Sequence, residues 1–453
     1  YHLPNSIQFA QQKLQFGLGN LSHGFKHTSS LFMIMSLTYL PIFDYYLFNL
    51  TNFLFFIFFI TFLFREIYFQ NKQNLNLSTI ILSLFLILFL TKFNRLAEYG
   101  SDISGQIIIS IYFFYFLEFV YNKKLFLEKK IDHLKLAIIL IIFAITLKFI
   151  SVIYSILLLT FFLISKEKKK IFFSLLKIEY LIIVFLPLII FIFLNFSSTG
   201  CLIYPVEKLC FSRIFDWSLS SEIIRELNLH YEVWSKGGKG PGFGVDNQEE
   251  YILFLNWLPN WFKVYFYGKF TDYILVILTI IFIFSILNYK QILKTKKIKL
   301  EKKNKYLVFY LLLLIIFLLW FINFPTLRYA GYLVVFLLMI FPYSVYLNKK
   351  INFSKKNNIK KLSIIFLISF SIFLYKNVSR INNELMVLDN AHHNFNNFPF
   401  YWIKKNDFTG VKLNNHQLYL TKDKCWATPS TCVRGISNLK VLKKKGYIFY
   451  INK

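Results

Sequence analysis

The stretch LKTKKIKLEKKNKYLVFYLLLLIIFLLWFIN, residues 293–323, decides the fold class. A block of lysines, with Lys294, Lys296, Lys297, Lys299, Lys302 and Lys303 inside Lys290–Lys305, runs straight into an apolar segment that carries no charge. About 20 mostly apolar residues are needed to cross a hydrocarbon core of about 30 Å. Segments of this kind recur along the chain, near 48–66, 78–94, 104–121, 134–149, 150–165, 173–195, 271–288, 305–323, 328–347 and 362–376. The chain is 56% hydrophobic and 20% aromatic over 453 residues, above the roughly 45–50% apolar content of soluble domains. The pattern predicts an all-α polytopic membrane protein with about ten transmembrane helices.

The net charge of +29 invites a nucleic-acid reading. Its distribution argues against one. The lysines fall in short blocks between apolar runs, at Lys123–Lys130, Lys166–Lys170, Lys290–Lys305 and Lys349–Lys361. Cytoplasmic loops look like this, because cationic loops resist translocation. An abundance of Phe, Ile, Lys, Asn and Tyr together also fits AT-rich coding. A nucleic-acid footprint needs basic residues on one water-accessible folded face.

Placing the lysine blocks inside requires an even number of spans between them. Two spans separate each consecutive pair, and the count closes. Residues 1–47, 197–270 and 377–453 then lie outside, with transmembrane blocks at 48–196 and 271–376. Leu31–Leu40 is apolar, but Pro41 and Asp44 follow it at once, so it is expected as an interfacial helix. The alternative is a true span with residues 1–28 inside. The tail contains Gln417–Leu420 and Tyr447–Ile451, which alternate like short strands, so it is expected as a small α+β region. Gly237–Gly242 lacks the strand and helix of a phosphate loop and is expected as a flexible external loop. The chain opens on Tyr1 without an initiator Met or a signal peptide, so a preceding segment is expected.

All four cysteines, Cys201, Cys210, Cys425 and Cys432, fall in segments placed outside, as an oxidising compartment favours. The spacing points to disulfides Cys201–Cys210 and Cys425–Cys432, the second helped by the turn former Pro429. Four free thiols are the alternative. Neither pair has the flanking spacing of a zinc site, and no metal is indicated.

Polar groups cluster at the outer membrane boundaries: His2, Asn20, His23 and His27 in the first segment, Glu98 and Asp102 before one span, Tyr204 after Cys201, and Arg328 before another span. Ionisable groups there are costly unless they face a polar cavity or bind something. Such a cavity suits a lipid-linked phosphate, with Arg328 neutralising the phosphate and Asp102 or His2 taking a proton. Each residue also has a plainer reading: a solvated loop histidine, Asp102 as a cap for the helix starting near Ser104, Arg328 as an interfacial anchor. Lys148 and Glu179 lie near apolar runs without an explanation.

Tyr1-His2-Leu3-Pro4, Gly17-Leu18-Gly19-Asn20-Leu21, Ser29-Ser30, Ser101-Asp102, Gly200-Cys201-Leu202-Ile203-Tyr204-Pro205, Asp216-Trp217, Arg328-Tyr329 and Cys425-Trp426 with Pro429 and Cys432 stand in an order that resembles a group of bacterial multi-span proteins related to GT-C glycosyltransferases. The resemblance covers nearly the whole chain. It implies a GT-C-like fold in the bacterial inner (plasma) membrane and a site on the outer face. It also implies a polyprenyl-phosphate-linked sugar as donor and a surface glycan or lipid as acceptor, with no nucleic acid involved. Such enzymes carry an acidic catalytic residue in the first outer loop. Residues 1–47 hold only Asp44, so the acid is expected upstream of Tyr1, with Asp102 as the substitute candidate. The competing readings are an O-antigen polymerase or ligase and a non-catalytic transporter or scaffold.

Overall fold

The computed structural model describes residues 2–70, 75–93, 99–122, 125–164, 167–240, 243–294, 303–351, 356–386, 407–422 and 424–452. Glu98 and the middle of the 290–305 lysine block lie outside these. The first segment holds helix α1 (His2–Gln11), strand β1 (Gln15–Phe16) and helix α2 (Ser30–Ser36). The long apolar helices begin with α3 (Leu50–Gln70), α4 (Leu77–Lys92), α5 (Asp102–Tyr121) and α6 (Leu127–Leu147). A 3₁₀ stretch, Phe149–Leu158, runs into α7 (Leu159–Ile164), followed by α8 (Lys168–Leu175) and α9 (Ile178–Thr199).

The long loop contains α10 (Ser221–Ser235), a hairpin of β2 (Lys239–Gly240) and β3 (Phe243–Gly244), and α11 (Gln248–Ile252). Then α12 (Leu258–Trp261) passes through a π-helical stretch, Phe262–Phe270, into α13 (Thr271–Leu287), and α14 (Tyr289–Lys294) follows. Helices α15 (Lys303–Asn323), α16 (Tyr332–Lys350) and α17 (Lys356–Met386) complete the apolar part. The tail adds β4 (Thr409–Leu413), β5 (His416–Leu420), β6 (Cys432–Val433), β7 (Leu439–Lys444) and β8 (Tyr447–Asn452).

Among the described residues, seven helices are long and apolar enough to cross a membrane: 50–70, 102–121, 178–199, 258–287, 305–323, 327–350 and 358–383. Leu77–Lys92 and Phe149–Phe161 are apolar but shorter. Helix α6, the remaining one of the ten expected runs, opens on the charged turn Leu127–Lys130. Helix α4 is the hub, packing against α3, α5, α13, α16 and α17 with Leu77–Leu90 buried throughout, and α5 buries 83% of its apolar stretch, whereas α9, α15 and the 258–287 helix bury 28%. In a soluble fold such exposed stripes, with Ile182, Leu186 and Ile189 on α9, would be a liability. Facing lipid, they are the expected surface. At seven residues, α2 is about 10 Å long, too short to span, which fits the interfacial expectation for Leu31–Leu40.

The three polar regions pack on one another. Strand β1 pairs in parallel with β8 (Gln15↔Ile448, Phe16↔Phe449), and β8 pairs antiparallel with β7. The tail's sheet is therefore completed by the first segment rather than standing alone. Strands β4, β5 and β6 form the second sheet, and β5 and β8 fall where the alternating pattern placed them. Leu21, Phe25, Leu418, Val433, Val441 and Tyr450 make a small core of their own beneath these sheets.

The seam is polar. Gln12 Nε2 donates to the Ser430 carbonyl at 3.0 Å, and Gln11 Oε1 accepts from the Ser430 amide at 2.9 Å. Gln15 Oε1 accepts from both Thr431 and Tyr450. Gly17 shows why a side chain is excluded at the junction. Its φ is +75°, and a Cβ would stand 2.3 Å from the Tyr450 carbonyl oxygen, while its amide donates to Ser197 at 2.8 Å. Disulfides join Cys201 to Cys210 and Cys425 to Cys432, as the spacing suggested. Within the Gly-rich stretch, expected as a flexible external loop, Lys239–Gly240 pairs antiparallel with Phe243–Gly244, and Gly238 packs against the Tyr251 ring.

Candidate functional site

The chain between α15 and α16 does not stay helical. At Leu327–Gly331 the backbone breaks, with Tyr329 at φ −95°, ψ 75° and Ala330 at φ +69°. A non-glycine residue at positive φ is uncommon and strained, and such strain persists only where the surroundings over-determine it. Two side chains satisfy the carbonyls that the break frees. Lys148 Nζ donates to the Arg328 carbonyl at 2.9 Å, and the Tyr154 hydroxyl donates to the Ala330 carbonyl at 2.6 Å. Irregular backbone at membrane depth is tolerated where it lines a cavity and its polar groups are met in this way.

The break delivers Arg328 to Asp102. One carboxylate oxygen of Asp102 accepts from Lys148 Nζ and the other from Arg328 Nε. Lys148 also lies over the Tyr329 ring, 5.1 Å from its centroid. The side chains of Asp102 and Lys148 are each about one-fifth exposed, at 20% and 19%, whereas Arg328 keeps 53% of its side chain exposed. The carboxylate is therefore sequestered and the guanidinium reaches outward. Two cations against one carboxylate leave the cluster with surplus positive charge. Sequence reasoning had Asp102 and Arg328 but not their link. The signal for it was Lys148, a charge stranded between two apolar runs.

Asp102 and Arg328 line a cavity of about 510 Å³ with Lys92, Gln106, Lys269 and Thr326. Lys92 is paired with Asp272, and Lys269 lies over the Tyr265 ring at 5.5 Å. Trp234, Trp261, Tyr265, Phe270 and Tyr332 add aromatic surface to the wall. Four cations against two carboxylates thus surround the site, which favours an anionic ligand. The volume lies within the roughly 300–1,000 Å³ of typical small-ligand sites.

A second polar group gathers around the histidines of the first segment. Tyr231, on α10, reaches the two histidines of the first segment: its hydroxyl is 2.9 Å from His27 Nε2 and 3.2 Å from His23 Nε2. Tyr204 joins through its hydroxyl at 3.3 Å, with its ring 5.5 Å from that of His27. Burial holds all the imidazoles neutral near pH 7. His27 falls from the ordinary 6.5 to about 3, and His23 to about 4, with Lys26 adding to the fall. His2 also falls to about 3 through burial, and it lies in the field of Asp102, which opposes the fall, and of Arg328 and Lys148, which deepen it. His2 sits against Gly100, two residues before Asp102, and its ring is 5.3 Å from Phe32.

The structure thus gathers Asp102, His2 and Arg328 in one place, and His23, His27 and Tyr204 in the second group. Asn20 lies elsewhere. Its amide nitrogen donates to the carbonyls of Trp217 at 2.8 Å and Tyr450 at 3.0 Å, a pin between the first segment, the loop and the tail. Glu98 falls outside the described residues. Tyr231, Gln106 and Thr326 were not anticipated, and Lys148 stood out only as an unexplained charge. Among the described residues no three of His, Cys, Asp and Glu gather to hold a metal ion. A family model described as a domain of unknown function (DUF8201) matches residues 1–337. No curated protein and no solved structure matches the chain.

Proposed function

The chain belongs to the DUF8201 family, and within it we propose an integral membrane glycosyltransferase that moves a sugar from a polyprenyl-phosphate carrier to a cell-surface glycan or lipid. The observation that carries this reading is the Asp102–Lys148–Arg328 cluster opening onto a cationic, aromatic-walled cavity at the boundary of the apolar helices. The lysine blocks and the cysteine positions favour a cavity that faces outward, and the resemblance noted above places it in the bacterial plasma membrane.

The resting geometry suggests how the cluster works. Both oxygens of Asp102 are engaged in the resting state, one by Lys148 and the other by Arg328. A lipid phosphate entering the cavity competes for Arg328, the more exposed partner, and forms a charge-assisted pair with it. That exchange frees one oxygen of Asp102 while Lys148 keeps the other. The freed oxygen takes the proton of the acceptor hydroxyl as the acceptor oxygen bonds to the anomeric carbon. The bond from that carbon to the phosphate oxygen breaks, and its electron pair leaves with the phosphate, beside Arg328. His2, neutral and within the field of Asp102, helps position the acceptor.

Purified full-length protein supplied with a panel of synthetic polyprenyl-phosphate sugars tests this. Asp102→Asn and Arg328→Ala should each lower transfer by about 100-fold or more, the usual scale for a lost general base or oxyanion partner. Transfer that survives both changes at the wild-type rate would falsify the assignment.

A further inference from the structure

The turn that joins α11 to α12 presents its apolar side chains outward. Leu253, Phe254 and Leu255 are 54%, 92% and 57% exposed. Phe254 also has φ +48°. A bulky residue at positive φ is an outlier, and such strain persists only where the surroundings fix it. Here they do. The Phe254 carbonyl accepts from Trp257 Nε1 at 3.0 Å, and Asn256 Nδ2 donates to the Glu250 carbonyl at 3.1 Å. The Asn256 amide donates to the Leu253 carbonyl at 3.2 Å, and the Leu258 amide to the Leu255 carbonyl at 2.9 Å. Trp257 is itself buried, with Lys236 Nζ 5.3 Å from the centroid of its ring. Glycine would take this backbone without strain, so an aromatic ring held outward here calls for something that the ring touches.

The neighbours set the depth of the turn. The Trp257 ring is 5.4 Å from that of Phe321, two residues before the end of α15, a helix long and apolar enough to span. Leu318 and Ile322, beside Phe321 on α15, are exposed. The turn therefore stands level with the end of a spanning helix. It also continues an apolar surface. Leu275, Leu278, Phe282 and Ile286, spaced by three and four residues, form an exposed face on α13. Val264 and Tyr267 carry exposed surface on through the π-helical stretch toward the turn. On a spanning helix such a face is covered by acyl chains.

We infer that Leu253-Phe254-Leu255 is a membrane wedge, inserted among the acyl chains of the leaflet on the side of the three polar regions. Its occupant is lipid, because the wedge ends a surface that lipid already covers. Side chains of this kind bury about 5–10 Å into the boundary between headgroups and acyl chains. Trp261, Tyr265, Lys269 and Phe270, just downstream of the wedge, line the cavity. The wedge thus holds that wall of the cavity at the bilayer surface. The inference goes beyond the proposed transfer: it names what the turn touches whatever ligand the cavity takes, and its experiment reads no transfer.

Site-directed fluorescence on full-length protein in nanodiscs tests the wedge. All four cysteines are joined in disulfides, so Phe254→Cys and Leu255→Cys, each labelled without reductant, carry the environment-sensitive dye NBD at a single site. Lys444→Cys, at an exposed position on β7, is the reference. At 254 and 255 the emission should shift to the blue, lose most of its intensity to a nitroxide on the lipid acyl chain, and resist soluble iodide. At 444 it should lose most of its intensity to iodide and little to the nitroxide.

Neither Phe254 nor Leu255 is packed inside the protein, so both variants should keep the wild-type melting midpoint; either one alone suffices for the reading. Iodide quenching at 254 and 255 as strong as at 444, without loss to the lipid nitroxide, would overturn the wedge in favour of a turn in water. Shielding from both quenchers would overturn it in favour of cover by a second copy of the chain or another protein.

Discussion

Replacing Asp102 with Asn removes the one carboxylate that Lys148 and Arg328 share and leaves the site almost the same size. The consequence falls unequally on the two cations. Arg328 keeps 53% of its side chain exposed and can turn to water, so its loss is small. Lys148 is 19% exposed and retains only the Arg328 carbonyl and the Tyr329 ring as partners among the described contacts. Removing one member of a buried ion pair costs about 3–5 kcal/mol, largely for the charge left behind. Because Asn still offers an acceptor and the pair is not fully buried, the expected loss is about 3 kcal/mol, near the lower bound.

The same reasoning fixes the compensating change. Lys148→Met in the Asp102→Asn background removes the stranded charge and should restore about 2 kcal/mol of that loss, within the usual coupling range for residues in contact. Thermal unfolding of wild type, Asp102→Asn, Lys148→Met and the double variant in one detergent, without ligand, reads the order of midpoints. The expected order places Asp102→Asn lowest and the double variant between it and wild type. Unfolding of a protein this large is not all-or-none, so the order and the sign of the coupling are the observables. An Asp102→Asn midpoint within about 1 °C of wild type, or a double variant below Asp102→Asn, would refute the buried-pair reasoning.

Three further outcomes follow from the geometry. Asn20→Ala should destabilise the polar cap by about 1–3 kcal/mol, since it strands the carbonyls of Trp217 and Tyr450, and proteolysis near residue 217 should accelerate. Gly200→Ala should be worse, because Gly200 has φ +76° and a Cβ would stand 2.1 Å from Ser218 Oγ; loss of folded protein on expression is the readout. Acid should destabilise the fold through the buried histidines. Their folded pKa values, about 3 for His27 and His2 and about 4 for His23, lie below the unfolded 6.5, so the native state binds fewer protons. The stability they confer is full above pH 6.5 and declines as pH falls from there toward 3, by at most about 1.4 kcal/mol per pH unit for each histidine. His27→Ala should flatten the midpoint-against-pH curve between pH 6.5 and 5, and an unchanged slope would count against its burial.

Much of the helical body was legible because apolar runs and lysine blocks are strong, local signals. Strands β5 and β8 followed from alternation alone. What could not be read were partnerships between distant segments. Nothing local to Gln15-Phe16 announces that it completes the tail's sheet, because the match lies in the register with Ile448 and Phe449. Lys148 stood out only as a misplaced charge until the break at Tyr329 and Ala330 brought Arg328 and Asp102 to it. Gln106 hid inside an apolar run whose face becomes clear only when α5 is packed. Asn20 was drawn toward the site because polar residues of the first segment look alike in sequence, whereas its amide is engaged in joining three segments.

The central claim is that the first segment, the long loop and the tail form one polar cap across the membrane from the lysine blocks. Dual reporters at two positions test it most directly. Alkaline phosphatase, active only outside the cytoplasm, and green fluorescent protein, bright only within it, are each fused after Lys297 and after Lys453. Fluorescence at Lys297 with phosphatase activity at Lys453 is the predicted result. The same reporter lighting up at both positions would contradict the account.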